Sequence, residues 1–183
     1  MKPVLRTELL DYQTYEEIRP TFRGEVMAAK AARRIHVGQH LTFLFENTLT
    51  IRYQIQEMIR AERIVKERDI LHELETYNAL LGGPGELGCT LLIEIDDPLV
   101  RSVRLAEWFA LPEHVYVRTP EAGKIRAAFD DTQRGDGRLS SVQYLKFPVK
   151  GVVPLAVGAD LPALEAEAIL TSDQRAALTA DLA

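Results

Sequence analysis

Between Phe43 and Arg63 the chain reads Phe-Leu-Phe-Glu-Asn-Thr-Leu-Thr-Ile-Arg-Tyr-Gln-Ile-Gln-Glu-Met-Ile-Arg-Ala-Glu-Arg, with acids, bases and amides set between apolar residues that must be buried. Some of those polar groups go inside with their neighbours. A carboxylate or guanidinium buried without a partner costs several kcal/mol. The segment therefore has to pair its charges internally or hold them ready for a ligand.

The flanking sequence predicts helices on either side of a short strand. Thr14-Tyr15-Glu16-Glu17 fits a capping box, which starts a helix running to Arg34. Tyr15, Ile18, Phe22, Val26 and Ala29 recur at spacings of three and four and paint one buried stripe, with a kink or restart at Pro20. Ile35 to Phe45 switches period: Gly38-Gln39 reads as a turn, and Leu41, Phe43 and Phe45 alternate as a half-buried strand. Asn47 caps the next helix, which carries Ile51, Ile55, Met58, Ile59 and Glu62 on one side and continues to about Lys66. Asp69 caps another, with the stripe Ile70, Leu71, Leu74, Tyr77 or Asn78, and Leu81, stopped by Gly82-Gly83-Pro84.

After that loop the texture changes. Thr90 to Asp96 reads as strand, Asp97-Pro98 as a cap and first helical position, and Leu99 to Leu111 as helix. Val115 to Arg118, Lys124 to Phe129, Leu139 to Val149, Val152 to Val157 and Glu165 to Leu170 are strand-like, with Gly135-Asp136-Gly137 as a loose hairpin tip. Thr171-Ser172-Asp173-Gln174 caps a closing helix. Strands joined by tight turns pair antiparallel. The expected class is α+β, a helical N-terminal half packed on a mainly antiparallel C-terminal sheet. At 183 residues this suits a single domain, helical over 1–82 and sheet over 88–183.

Composition narrows the function classes. A net charge of −5 and a pI near 5.5 argue against a general nucleic-acid binder. The basic stretch from Arg23 to Arg34, with Lys30 and Arg33, reads as the solvated face of a helix. No apolar run reaches the roughly 20 residues that span a bilayer, and no apolar signal region follows Met1, so the expected location is cytoplasmic. The lone cysteine, Cys89, opens an apolar run and reads as a buried small hydrophobe. It leaves no disulfide and no thiolate framework within the chain.

Helical spacing puts Gln54, Glu57, Met58, Ala61 and Glu62 near one line, flanked by Tyr53 and Arg60. Glu46 precedes that helix; Glu73, Tyr77 and Asn78 lie on the next; Thr90 and Glu94 share a strand face. Packing of these three elements would bring Glu46, Glu57, Glu73 and Glu94 together near Arg60, as a buried ion-pair network or as a pocket. A di-iron bundle needs Glu-x-x-His, which is missing. His36 and His40 fall on a strand and turn that do not aim both rings at one metal, so no metal or other cofactor is expected. Gly82 to Gly88 lacks the Lys-Ser/Thr ending of a phosphate loop.

Phe45-Glu46-Asn47, Tyr53-Gln54-Ile55-Gln56-Glu57-Met58, Arg60, Glu62, Glu73, Tyr77-Asn78, Thr90 and Glu94 together resemble an uncharacterised bacterial family classed as a domain of unknown function. The likeness covers nearly the whole chain. The family is often encoded beside rubrerythrin-like di-iron proteins and cysteine-rich iron–sulfur oxidoreductase subunits, so the resemblance implies a place in redox or peroxide-stress metabolism. It brings no assigned catalytic residues. Where the family tends to show Asp-His-Pro, this chain has Asp160-Leu161-Pro162, which removes a histidine from consideration.

Two readings follow. In the first the chain is an accessory or binding protein that contacts a rubrerythrin-like or iron–sulfur partner and keeps its polar cluster for structure. In the second it is an enzyme or small-molecule binder, with Glu57, Glu73 and Arg60 lining a pocket between helices and sheet. A homodimer formed through a sheet edge or through the Tyr15 to Ala29 helix is compatible with both.

Overall fold

The computed structural model describes residues 1–135 and 137–183. Its first helix, α1 (Tyr12–Ala31), opens on Asp11 and not on the Thr14 capping box. The Asp11 carboxylate accepts from the backbone N–H groups of Gln13 and Thr14 and also takes the Thr14 hydroxyl at 2.6 Å, so the earlier, charged cap wins. Pro20 is carried inside α1 without ending it. Of the expected stripe, Tyr15, Phe22 and Val26 are buried while Ile18 stays exposed.

Strands β1 (Arg34–Val37) and β2 (Leu41–Phe45) form a hairpin turned through Gly38, whose φ of 60° is the left-handed region that glycine enters without strain. Asn47 caps α2 (Thr48–Glu62) by accepting from the Thr50 N–H. This helix stops short of Lys66 because Arg63 turns into the left-handed region. Helix α3 (Glu67–Asn78) begins ahead of Asp69, with Glu67 and Asp69 both in its first turn where the helix dipole favours acids. Tyr15, Phe22, Val26 and Tyr53 hold α1 to α2, and Ile51, Ile55, Ile59 and Ile70 hold α2 to α3.

The remaining elements are β3 (Leu87–Ile93), α4 (Pro98–Glu107), α5 (Leu111–His114), β4 (Val115–Thr119), β5 (Gly123–Arg126), β6 (Ala128–Phe129), β7 (Arg134–Gly135), β8 (Arg138–Leu139), β9 (Val142–Phe147), β10 (Ala156–Ala159), β11 (Ala166–Ile169) and α6 (Ser172–Leu182). Strand β3 starts earlier than Thr90 because Leu87 to Leu92 pair with β9. The helix expected from Leu99 to Leu111 ends at Glu107, and the strand expected at Val152 to Val157 lies instead at Ala156–Ala159, where β4 and β11 flank it. Of the hairpin tip expected at Gly135-Asp136-Gly137, Asp136 lies outside the described residues.

The fold is α+β with antiparallel sheets. One has the order β1-β2-β3-β9-β6, the second β11-β10-β4-β5, and β7 pairs with β8. The larger sheet takes two strands from the otherwise helical first half, because β2 finds in β3 a partner for its open edge. Phe43, Phe45, Leu91 and Phe147 of the large sheet join Val115, Val117 and Val157 of the smaller one in one core with Trp108, Leu111 and Leu178. Cys89 lies in it, buried, and burial pushes its thiol well above its ordinary range. Among the described residues no helix is long and apolar enough to cross a membrane.

Candidate functional site

Residues opposite one another in an antiparallel ladder share a face. Phe45, Cys89 and Leu145 are such a row and face the core, while Leu44, Thr90 and Tyr144 form the next and face away from it. Of the polar groups singled out from the sequence, Thr90 lies on that second face, Gln54, Glu57, Arg60 and Glu62 on α2, Glu73, Tyr77 and Asn78 on α3, and Glu46 and Glu94 just past the ends of β2 and β3.

Glu46, between β2 and α2, is 7% exposed. Its two oxygens accept the hydroxyls of Thr50 at 2.6 Å and Thr90 at 2.7 Å. A buried carboxylate is thereby satisfied by one neighbour on α2 and one on β3, which ties helix to sheet. Lys30 of α1 lies over the Tyr53 ring at 5.3 Å; burial lowers its amine, and the Glu46 charge opposes that lowering.

Glu57 faces α1. Tyr15 and Arg19, one helical turn apart, both reach it: Arg19 spans its two oxygens at 2.7 and 3.0 Å, and the Tyr15 hydroxyl donates to Oε1 at 2.8 Å. Arg60 adds a longer contact of 3.4 Å and also approaches Glu16 at 3.7 Å. The Arg19 bonds hold the Glu57 carboxyl below its ordinary range against the opposing effect of burial, and burial together with Glu57 pushes the Tyr15 phenol up. Tyr15 therefore stays a donor.

Glu94 stands just past the end of β3. The buried Thr42 donates to it at 2.6 Å and lies 2.8 Å from His36 Nδ1. Since the Thr42 proton goes to Glu94, the hydroxyl must accept from His36 Nδ1–H, which fixes the neutral ring as the Nδ1 tautomer.

The expected meeting of Glu46, Glu57, Glu73 and Glu94 near Arg60 does not form; only Glu57 and Arg60 come together. Glu46 and Glu94 follow opposite ends of an antiparallel pair, and Glu57 is turned to α1. Asn78 closes a different contact, donating to the Val4 carbonyl and accepting its N–H. Glu73 and Gln54 are half-buried and Glu62 is exposed, none with a side-chain hydrogen bond among the described residues, and Tyr77 packs on the α2–α3 cluster. The sequence reading missed Tyr15, Arg19, Thr42, Thr50 and His36 as the partners. The spacing of Tyr15 and Arg19 on α1 was the one local signal for them. Among the described residues no group of three or more His, Cys, Asp or Glu side chains is placed to hold a metal ion.

These features define an α+β protein in which Glu46, Glu57 and Glu94 are each held by hydroxyl or guanidinium donors of its own chain. The chain belongs to the family described as protein of unknown function, DUF3501, whose model matches residues 3–182. It is similar to a crystal structure of a novel protein of unknown function from Burkholderia pseudomallei K96243, with 30% identity, a TM-score of 0.90 and 100% of each chain covered. No curated protein matches.

Proposed function

We propose that the protein is a cytoplasmic accessory protein of a redox or peroxide-stress system, acting by binding an iron-bearing partner of the rubrerythrin or iron–sulfur type. The observation that carries this reading is the state of Glu57. Both its oxygens are taken by Arg19 and Tyr15, so the carboxylate that a catalytic pocket would need as a base is spent on joining α1 to α2. The sole thiol, buried and with its pKa raised, is likewise unsuited to exchange electrons or attack a disulfide. A role carried out through contact fits a chain equipped in this way.

The test is calorimetric titration of the purified protein into a purified rubrerythrin-like di-iron protein and, separately, a cysteine-rich iron–sulfur subunit. Saturable binding to either, with a changed rate of peroxide reduction or electron transfer by the partner, is the expected result. Absence of binding to both, or stoichiometric iron or zinc retained by the protein itself, would overturn the proposal.

A further inference from the structure

A cleft of about 580 Å³ opens between α4 and the paired strands β7 and β8, away from Glu57 and independent of the reading above. On the helix side Pro98, Arg101, Ser102 and Leu105 follow one another at helical spacing, so they form a single stripe of α4. On the strand side Leu139 enters the core, which turns its neighbour Arg138 the other way. The Arg138 head is placed by a bond across the cleft: its Nη1 donates to the Ser102 Oγ at 3.4 Å. Arg101, half-buried, is tethered in turn by Nη1 to the Ile95 carbonyl at 3.0 Å.

The polar lining is one-sided. Among the described residues no carboxylate lines the cleft, and neither Arg101 nor Arg138 is paired with one. A guanidinium carries five N–H groups in a fixed fork, and each of these two spends one on the protein. The Ser102 hydroxyl accepts from Arg138, and the Ser140 hydroxyl accepts the Val142 N–H at 3.2 Å, so each keeps its own proton to give. Gln133 and Thr132 are already engaged, the first by the backbone of Tyr144 and the second by Asp130.

Two tethered guanidinium groups from opposite walls, with hydroxyl donors beside them, suit an anion of charge near −2 with several acceptor oxygens. We propose that this cleft binds a phosphate dianion, its oxygens taken by Arg101, Arg138 and the hydroxyls of Ser102 and Ser140. The remaining volume, bounded by Pro98, Leu105 and Leu139, has room for a small organic body esterified to it.

The experiment is calorimetric titration of the full chain, at low ionic strength, with inorganic phosphate, with glycerol 3-phosphate and with glycerol. Saturable binding of at least one phosphate, and none of glycerol, is expected. Tighter binding of the ester would show that the cleft takes a phosphorylated small molecule, and equal or tighter binding of inorganic phosphate that it takes the free anion. Arg101→Met and Arg138→Met should each weaken the phosphate by about tenfold or more, since a charge-assisted bond is lost. Arg68→Met removes the same charge from a side chain that is 85% exposed on α3 and should leave the affinity unchanged. The melting temperature of each variant reports whether it is folded. Phosphates that do not bind the wild-type chain at millimolar concentration, folded Arg101→Met and Arg138→Met variants that bind them unchanged, or an equal loss in Arg68→Met would overturn the proposal.

Discussion

Arg33 and Asp181 meet as a two-bonded ion pair of 2.7 and 2.8 Å across 148 residues of chain, joining the β1 entry to the last turn of α6. Their side chains are only 10% and 7% exposed, and Asn47 donates to the same carboxylate at 3.3 Å. The α2 cap, the β1 start and the closing helix are thus locked at one point.

Removing one member of that pair leaves the other charge unmatched in a dry setting. Arg33→Met and Asp181→Leu are each expected to destabilise by about 3 to 5 kcal/mol, and the double variant by less than their sum. Urea denaturation of the four proteins measures this directly.

The Glu57 cluster is only half-buried, with Arg19 29% and Glu57 19% exposed on their side chains. Glu57→Gln should cost about 2 kcal/mol because Arg19 and Tyr15 lose a charged acceptor. Arg60→Met should cost under about 1 kcal/mol, its contact being longer and its head more exposed. Equal losses in thermal melts would mean that Arg60, not Arg19, is the principal partner.

Thr90→Val removes one of the two hydroxyls on Glu46 at nearly constant volume. A loss of about 1 to 3 kcal/mol is expected, as the buried oxygen is left without its donor. A chain that melts like wild type would show that water reaches Glu46.

Acid should unfold the protein through carboxylates whose native pKa is depressed. Arg126, then Lys124 and His114, hold Asp160 well below its ordinary range, as Arg19 does for Glu57 and Arg118 for Glu167. A depressed native pKa contributes stability that is complete above the unfolded value, about 4, and is lost as pH falls through the native one. Urea midpoints should therefore hold steady down to about pH 5 and decline below about pH 4, with a shallower decline for Asp160→Asn.

What could be read before the structure was local. Asn47, Asp97 and Thr171 announce helix starts because a cap acts within three residues, and all three cap as expected. Thr14 was outcompeted by Asp11, whose charge suits a helix start better. Arg33 reads as part of a solvated basic stretch; inside, its guanidinium donates to the Ala29 carbonyl and pairs with Asp181, which sequence spacing cannot bring near. Glu57 was visible as a charge in need of a partner, but its partners lie across the α1–α2 packing. Glu46 and Glu94 drew attention as acids in an apolar context; their separation follows from strand direction, which fixes which acid follows which end.

Strand β3 runs between oil on one side and hydrogen-bonded acid on the other. A shift of one position against β2 would drive Thr90 among the phenylalanines, turn Cys89 outward and deprive Glu46 of a donor at the same stroke. Misalignment is thus penalised on both faces at once, so the central strand proofreads its own assembly.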